Sequence, residues 1–163
     1  MKVLIVSDTH RKNDLYLDIL DKEKPDLVLH CGDSEGSEYA LTAAADCPVH
    51  IVLGNNDFFS NLPRELILEI GPHTGWMVHG HNYHVSLGTE YLADEALDRG
   101  ADVVLFGHTH RPFLEEGEEM TICNPGSLSY PRQEGRCPTY ALMELEEGKK
   151  TRFTICYCEP KTS

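Results

Sequence analysis

The chemistry-bearing residues of this chain stand in five short groups: Asp8-Thr9-His10, Gly32-Asp33, Gly54-Asn55-Asn56-Asp57, His79-Gly80-His81 and Gly107-His108-Thr109-His110. A D-x-H triplet or a Gly-Asp pair arises by chance about 0.6 to 0.9 times at this composition, and neither means much alone. G-H-x-H is expected only roughly 0.04 times and G-N-x-D roughly 0.03 times, treating positions as independent draws. The last two motifs, and the order of all five along the chain, carry the signal.

Their side chains suit a metal. His10, His79, His108 and His110 offer imidazole nitrogens, Asp8 and Asp33 carboxylates, and Asn55 an amide oxygen. Such a mixed N/O set favours Mn²⁺, Fe²⁺, Co²⁺, Ni²⁺ or Zn²⁺, and the lack of a thiolate argues against a closed structural zinc site. Seven donors exceed the needs of one catalytic ion. They suit two ions about 3.5–4 Å apart, with one shared carboxylate and open positions for water and substrate. His79-Gly80-His81 offers two imidazoles for one place; His79 is preferred and His81 stays a candidate. Gly32, Gly54, Gly80 and Gly107 are expected to let the backbone turn at positive φ beside the site. His30, inside Leu27-Val28-Leu29-His30-Cys31, reads as a strand residue held by hydrogen bonds, and His50 and His73 as exposed residues near turns.

Stepping along the chain, nearly every group follows an apolar run. Lys2–Ser7, Asp26–Cys31, Val49–Leu53, Gly75–Val78 and Ala101–Phe106 read as strands, and ligands gather beyond the carboxyl ends of parallel strands. Helices fill the intervals: Asp14 to Lys22 after Asn13, Ser37 to Ala45, and a stretch capped by Thr89 to Arg99, with Gly100 at the left-handed C-terminal position. Glu65–Ile70 and Gly75–Val78 form a hairpin-like pair around Gly71-Pro72. Met120–Cys123, Thr139–Leu145 and Thr151–Tyr157 predict antiparallel β-structure in the last third, and the run Glu115 to Glu119 predicts a solvated loop.

Composition bounds the alternatives. With 163 residues, 40% apolar and 25% charged, the chain is expected to form a single domain, 1–163, around one core. A net charge of −13 disfavours binding to long nucleic acid. No apolar run reaches the ~18 residues of a membrane span, and no signal-peptide core precedes Asp8, so a cytoplasmic location without membrane partners is expected. The six cysteines contain no C-x-x-C pair and read as small buried hydrophobes, with Cys156 and Cys158 on one strand face.

The ordered motif set resembles the calcineurin-like metallophosphoesterase superfamily, and within it the short YfcE-type phosphodiesterase branch. The similarity runs from Asp8 to Asn124-Pro125-Gly126-Ser127, a segment like one that follows G-H-x-H in that branch. It implies an α/β fold, a four-layer αββα sandwich with mixed sheets, and a metal-dependent phosphodiesterase acting on small phosphodiesters through a dinuclear centre and a bridging hydroxide. By the family pattern one ion takes Asp8, His10, Asp33 and His110, and the other takes Asp33 with Asn55, His79 and His108. Mn²⁺ is the expected ion, with Fe, Ni, Co or Zn as alternatives. Asp33, Asn55, Asn56 and His81 form the expected catalytic set, and Asn124 and Arg111 are further candidates for phosphate contact.

Departures from the family pattern narrow the branch. Protein phosphatases extend the Gly-Asp motif with Asp-Arg-Gly, and purple acid phosphatases place a Tyr three residues after the Asp; this chain has Ser34-Glu35-Gly36. Many members carry His after the motif Asn as a leaving-group acid, whereas Asn56 cannot supply a proton. The alternative reading is a metal-binding protein-interaction scaffold of the same fold with little catalysis, by similarity to the retromer subunit. That scaffold replaces the residue at His10, while all seven positions here carry competent donors. The sequence leaves a homo-oligomer open.

Overall fold

The computed structural model describes residues 1–58 and 60–158. In chain order the elements are β1 (Lys2–Val6), α1 (Asp14–Glu23), β2 (Leu27–His30), α2 (Glu38–Ala44), β3 (Val49–Ile51), β4 (Glu65–Ile70), β5 (His73–Val78), α3 (Glu90–Asp98), β6 (Val103–Leu105), β7 (Pro112–Glu116), β8 (Thr121–Pro125), β9 (Thr139–Glu144) and β10 (Arg152–Tyr157). They form two five-stranded sheets, ordered β10-β9-β1-β2-β3 and β4-β5-β6-β8-β7. Parallel ladders join β1, β2 and β3 in one sheet and β5, β6 and β8 in the other, while antiparallel strands complete both.

Strand periodicity explains the layering. In β1, Val3, Leu4, Ile5 and Val6 are all fully buried, the signature of a strand covered on both faces. Val3 and Ile5 point between the sheets, toward Leu29, Met77, Leu105, Cys123 and Met143. Leu4 and Val6 point outward to Tyr16, Ile19 and Leu20 of α1 and Leu41 of α2. On the second sheet the same alternation sends Trp76, Val104 and Phe106 toward Leu92 and Ala96 of α3. Helices therefore cover the outer face of each sheet, giving the four-layer αββα arrangement. Truncating a buried aliphatic residue here, Ile5→Ala for example, costs about 2–5 kcal/mol.

Several local expectations are corrected. Asn13, Ser37 and Thr89 precede the three helices, yet none makes a side-chain cap hydrogen bond. The helices depend instead on their buried stripes, Tyr16, Ile19 and Leu20 in α1 and Leu92 and Ala96 in α3. Gly100 does take the left-handed conformation, at φ 73°. The charge run begins in a strand: β7 pairs antiparallel with β8 and carries exposed Glu115 and Glu116 on an outermost strand, where charge discourages further pairing. Because β7 reverses the chain between β6 and β8, β8 runs parallel to β6, and the last third is not wholly antiparallel. His50 and His73 are half-buried rather than exposed, and His73 bridges Asp102 Oδ2 and Thr151 Oγ1, each at 2.7 Å.

All six cysteines are free thiols; Cys31 and Cys123 are buried between the sheets, and Cys156 and Cys158 pack on the helix side. Among the described residues, no helix is long and apolar enough to cross a membrane.

His30 behaves as its strand position predicts. Its Nδ1 accepts the Gly32 N–H at 3.1 Å, so Nε2 carries the proton it shares with Thr9 Oγ1 at 3.0 Å. Burial, chiefly, pulls its pKa down to about 4 and keeps the ring neutral. His30→Phe would leave the Thr9 hydroxyl and the Gly32 N–H buried without partners, at about 1–3 kcal/mol each. Urea denaturation is expected to show a loss of about 2–4 kcal/mol; an unchanged midpoint would refute this role.

Candidate metal centre

The predicted donors sit immediately beyond strand ends, and the backbone ties those ends together. Asp8 N–H donates to the Gly32 carbonyl, His10 N–H to the Asp33 carbonyl and Gly107 N–H to the His79 carbonyl, each at 3.0 Å. Five of the seven predicted donors, Asp8, His10, Asp33, His108 and His110, have left-handed backbone at φ between 47° and 71°. Asp and His tolerate this region better than most residues, though a strained position costs of order 1–3 kcal/mol. The sharp turn it makes after each strand brings side chains from both sheets to one place.

Two adjacent donor sets result. Asp8, His10, Asp33 and His110 offer atoms that all lie within 4.8 Å of one another. Within this set His10 Nε2 lies 3.2 Å from His110 Nε2, and His110 Nε2 lies 3.3 Å from Asp8 Oδ1. In the second, Asn55 Oδ1 lies 2.9 Å from His79 Nε2 and 3.1 Å from His108 Nδ1. Asp33 Oδ2 belongs to both, at 3.8 Å from His10 Nε2 and 3.4 Å from His79 Nε2.

The groups fit a cation. Asp8 Oδ2 accepts the Ser7 hydroxyl at 2.6 Å and the His108 N–H at 3.1 Å, but its Oδ1 is buried with no hydrogen-bond partner. His79 Nδ1 donates to the Cys31 carbonyl and His110 Nδ1 to the Tyr130 carbonyl, both at 2.7 Å. A carbonyl can only accept, so each neutral ring turns its Nε2 lone pair inward. His10 Nδ1 is held by Glu35 Oε1 at 2.9 Å in the same sense. Lone pairs of imidazoles, carboxylates and an amide thus face one another, an arrangement relieved by positive charge between them.

Charge shifts follow the same pattern. Burial works against ionisation of Asp8, but the imidazoles of His110 and His79 beside it hold its carboxyl below the usual range. Asp33 is likewise held well below it, burial being outweighed by His79 and by the N–H groups of Asn56. For His79 the opposing burial is outweighed by Asp33 and Asp8, so its pKa rises. Burial, and after it the neighbouring His79 imidazole, lower that of His81.

Glycine acts in two ways here. Gly32 and Gly80 use positive φ, at 107° and 104°, as expected. Gly54 and Gly107 do not: they supply space, since a Cβ at Gly54 would strike the Asp33 carboxylate and one at Gly107 the Ser7 hydroxyl and Asp8 carboxylate.

The structure separates residues that the sequence left together. His79 is fully buried within the second set, whereas His81 is exposed with its ring centroid 5.5 Å from that of His79 and 6.2 Å from that of His108. Asn56 is turned toward Asp33, donating from its backbone N–H to Oδ1 at 2.8 Å and from its amide to Oδ2 at 3.0 Å. Asn124 is fully buried and braces the 107–110 loop through Gly107 O and Thr109 Oγ1, so it is no phosphate contact; Arg111 is exposed nearby.

Supporting residues were missed by sequence reasoning. Asp57 accepts the N–H groups of Asp33, Gly54 and Glu35, and Ser127 and Ser129 both donate to the Asp8 carbonyl at 2.8 Å. The quoted motifs contain Asp57 and Ser127; nothing local marks Ser129 or Glu35.

Fold and site together define a class. Residues 1–148 match the calcineurin-like phosphoesterase superfamily domain, and the chain belongs to that superfamily. It is 35% identical over 156 residues to a probable metallophosphoesterase of Bacillus subtilis, covering 93% of this chain and 88% of that one. A phosphodiesterase of Methanocaldococcus jannaschii is 30% identical over 149 residues, covering 77% of this chain and 83% of the relative. The crystal structure of Vps29 from Entamoeba histolytica complexed with zinc has the same fold, with a TM-score of 0.77 at 22% identity over 96% of this chain and 99% of that one.

Proposed function

We propose that this chain is a metal-dependent phosphodiesterase that hydrolyses small phosphodiesters with two divalent ions, Mn²⁺ foremost. Asp8, His10, Asp33 and His110 would hold one ion, and Asp33, Asn55, His79 and His108 the other. The observation that carries the reading is the convergence of two donor sets on the shared Asp33 carboxylate, beside the unpartnered Asp8 Oδ1. The phosphodiesterase name of the archaeal relative supports the substrate class. Bound divalent ions would supply an activated water and positive charge against the phosphoryl oxygens.

The chain's own residues set the rest. Asn56 positions Asp33 by gripping both carboxylate oxygens, Glu35 orients His10, and backbone carbonyls fix the tautomers of His79 and His110. Two carboxylates against two divalent ions leave net positive charge, which suits a monoanionic diester, and the overall charge of −13 disfavours long nucleic acid. The likeness to the zinc complex of Vps29, at 22% identity, is one of fold, and a metal-binding scaffold would differ from the proposed enzyme in hydrolysing neither ester below.

The test is direct. With Mn²⁺ supplied, bis(p-nitrophenyl) phosphate is expected to be cleaved faster than p-nitrophenyl phosphate. A faster monoester would overturn the substrate class, and no hydrolysis of either by metal-loaded protein would overturn the activity.

Leaving groups provide a second measurement. Asn56 spends its amide on Asp33 and has no proton to release, while general acid help is typically worth 10²–10⁴-fold. Rates are therefore expected to fall steeply from nitrophenyl to alkyl diesters. A Brønsted slope near zero, with chemistry rate-limiting, would reveal a proton donor; loss of that flatness in His81→Ala would identify it.

A further inference from the structure

On the His10 and His110 flank of the donor cluster lies a cavity of about 640 Å³, bounded by His10, His110, Arg111, Tyr130, Arg132 and Arg136. Its lining contains no carboxylate, although the chain has 27 acidic residues against 14 Lys and Arg. Some basic side chains elsewhere are held by carboxylates: Lys2 by Glu23, Arg99 by Glu65 and Glu95, Lys149 by Glu146, and Arg152 by Glu144. The guanidinium groups of Arg111, Arg132 and Arg136 have no hydrogen bond or ion pair among the described residues.

This basic wall is tied to the donor cluster. Arg132 N–H donates to the His110 carbonyl at 3.0 Å, and the Tyr130 carbonyl accepts from His110 Nδ1 at 2.7 Å. The Tyr130 ring meets His10 edge-on at 5.4 Å, and Lys12 Nζ lies 4.2 Å from its centroid. Arg136 sits in a turn closed by its own N–H to the Gln133 carbonyl at 2.9 Å, and Gln133 is anchored to the Cys137 carbonyl at 2.6 Å. One short segment therefore supports a predicted donor and presents arginines to the adjoining space. The cavity falls within the ~300–1,000 Å³ range of small-molecule pockets, and arginine forks match phosphate oxygens bidentately.

We infer that this cavity is a second anion subsite, which binds a phosphate of the substrate other than the one cleaved. The substrate class is then a phosphodiester bearing a further phosphate monoester. The inference rests on the phosphodiesterase reading above, and it adds the specificity that reading lacks. A polynucleotide is a poorer fit, because its backbone would continue past the cavity across an acidic surface.

Matched probes test it. The p-nitrophenyl ester of thymidine 5′-phosphate is compared with the same ester carrying a 3′-phosphate, using the Mn²⁺-supplied protein. The affinities of thymidine 5′-phosphate and thymidine 3′,5′-bisphosphate are measured by titration calorimetry. The added phosphate is expected to lower KM and to tighten binding, each by about tenfold or more, and both ratios should fall close to one in Arg132→Ala/Arg136→Ala. Arg132→Lys/Arg136→Lys, which keeps charge but loses the fork, should retain part of each ratio. Equal KM and equal affinity in the wild-type protein would overturn the subsite and leave the phosphodiesterase reading standing, as would ratios that survive both arginine substitutions. Absence of hydrolysis with an arginine-dependent affinity difference intact would do the reverse.

Discussion

Asp33→Asn should lower turnover by about 10³-fold or more, beyond the 10–100-fold that loss of a supporting partner typically costs. Asp33 Oδ2 lies 3.8 Å from His10 Nε2 and 3.4 Å from His79 Nε2, so it faces both donor sets and comes nearer to His79 than Asp8 Oδ1 does, at 3.8 Å. An asparagine keeps the shape and leaves Asn56 in place, but removes a charge that both ions would share. It also introduces an N–H₂ group where an electron pair is needed. Cys156→Ser, on a late strand packed toward the helices, is the matched control and should leave turnover nearly intact. Turnover would be measured on bis(p-nitrophenyl) phosphate with Mn²⁺ in excess and metal content checked by elemental analysis. An Asp33→Asn protein within tenfold of wild type would remove the basis for a shared carboxylate.

Removing metal should abolish hydrolysis, and adding Mn²⁺ should restore it without refolding. The fold is expected to stand without the ions: Val3–Val6 of β1 are fully buried between two layers, and the loops that carry Asp8, Asp33 and His110 are held by backbone bonds and by Asp57, Ser127 and Ser129. What the ions would relieve is local, namely the unpartnered Asp8 Oδ1 and the imidazole lone pairs turned toward it. Binding to the native state alone stabilises by about 2.7 kcal/mol at a hundred times Kd. For a chain of this size each kcal/mol moves Tm by about 2–4 °C, so saturating Mn²⁺ should raise the melting temperature by about 5–10 °C. Circular dichroism should show the same secondary structure before and after chelation. Full activity in protein shown to be metal-free would refute the proposed chemistry, and collapse of the fold on chelation would refute the separation of scaffold from site.

Much of this arrangement was legible in the order of residues along the chain. A short, largely β-branched run such as Val3-Leu4-Ile5-Val6, cut off at once by polar residues, reads as a strand buried on both faces, and a polar group directly after it then lies at the strand's carboxyl end. Five such junctions in a chain with helical intervals define an α/β sheet with a site along one edge, and the residue types there, imidazole, carboxylate and amide, define metal binding. Those inferences use only periodicity and side-chain chemistry, which are local properties.

What the tertiary structure alone decided depends on contacts between distant segments. His79 rather than His81 lies among the donors because the chain leaves β5 after Val78 and turns at Gly80, at φ 104°, so that His79 stays buried on the Cys31 carbonyl while His81 is exposed; two residues apart, the pair is indistinguishable in sequence. Asn56 serves Asp33, and Asn124 braces the 107–110 loop, because a side chain's hydrogen bonds follow from its neighbours in space. The same holds for β8, whose direction is set by the reversal through β7, and for Gly54 and Gly107, whose lack of a Cβ matters only because Asp33, Ser7 and Asp8 crowd them. Motif spacing determined which atoms this protein offers to a metal; the packing of two sheets determined which of them meet, since His10 and His110 are a hundred residues apart in the chain and 3.2 Å apart in the fold.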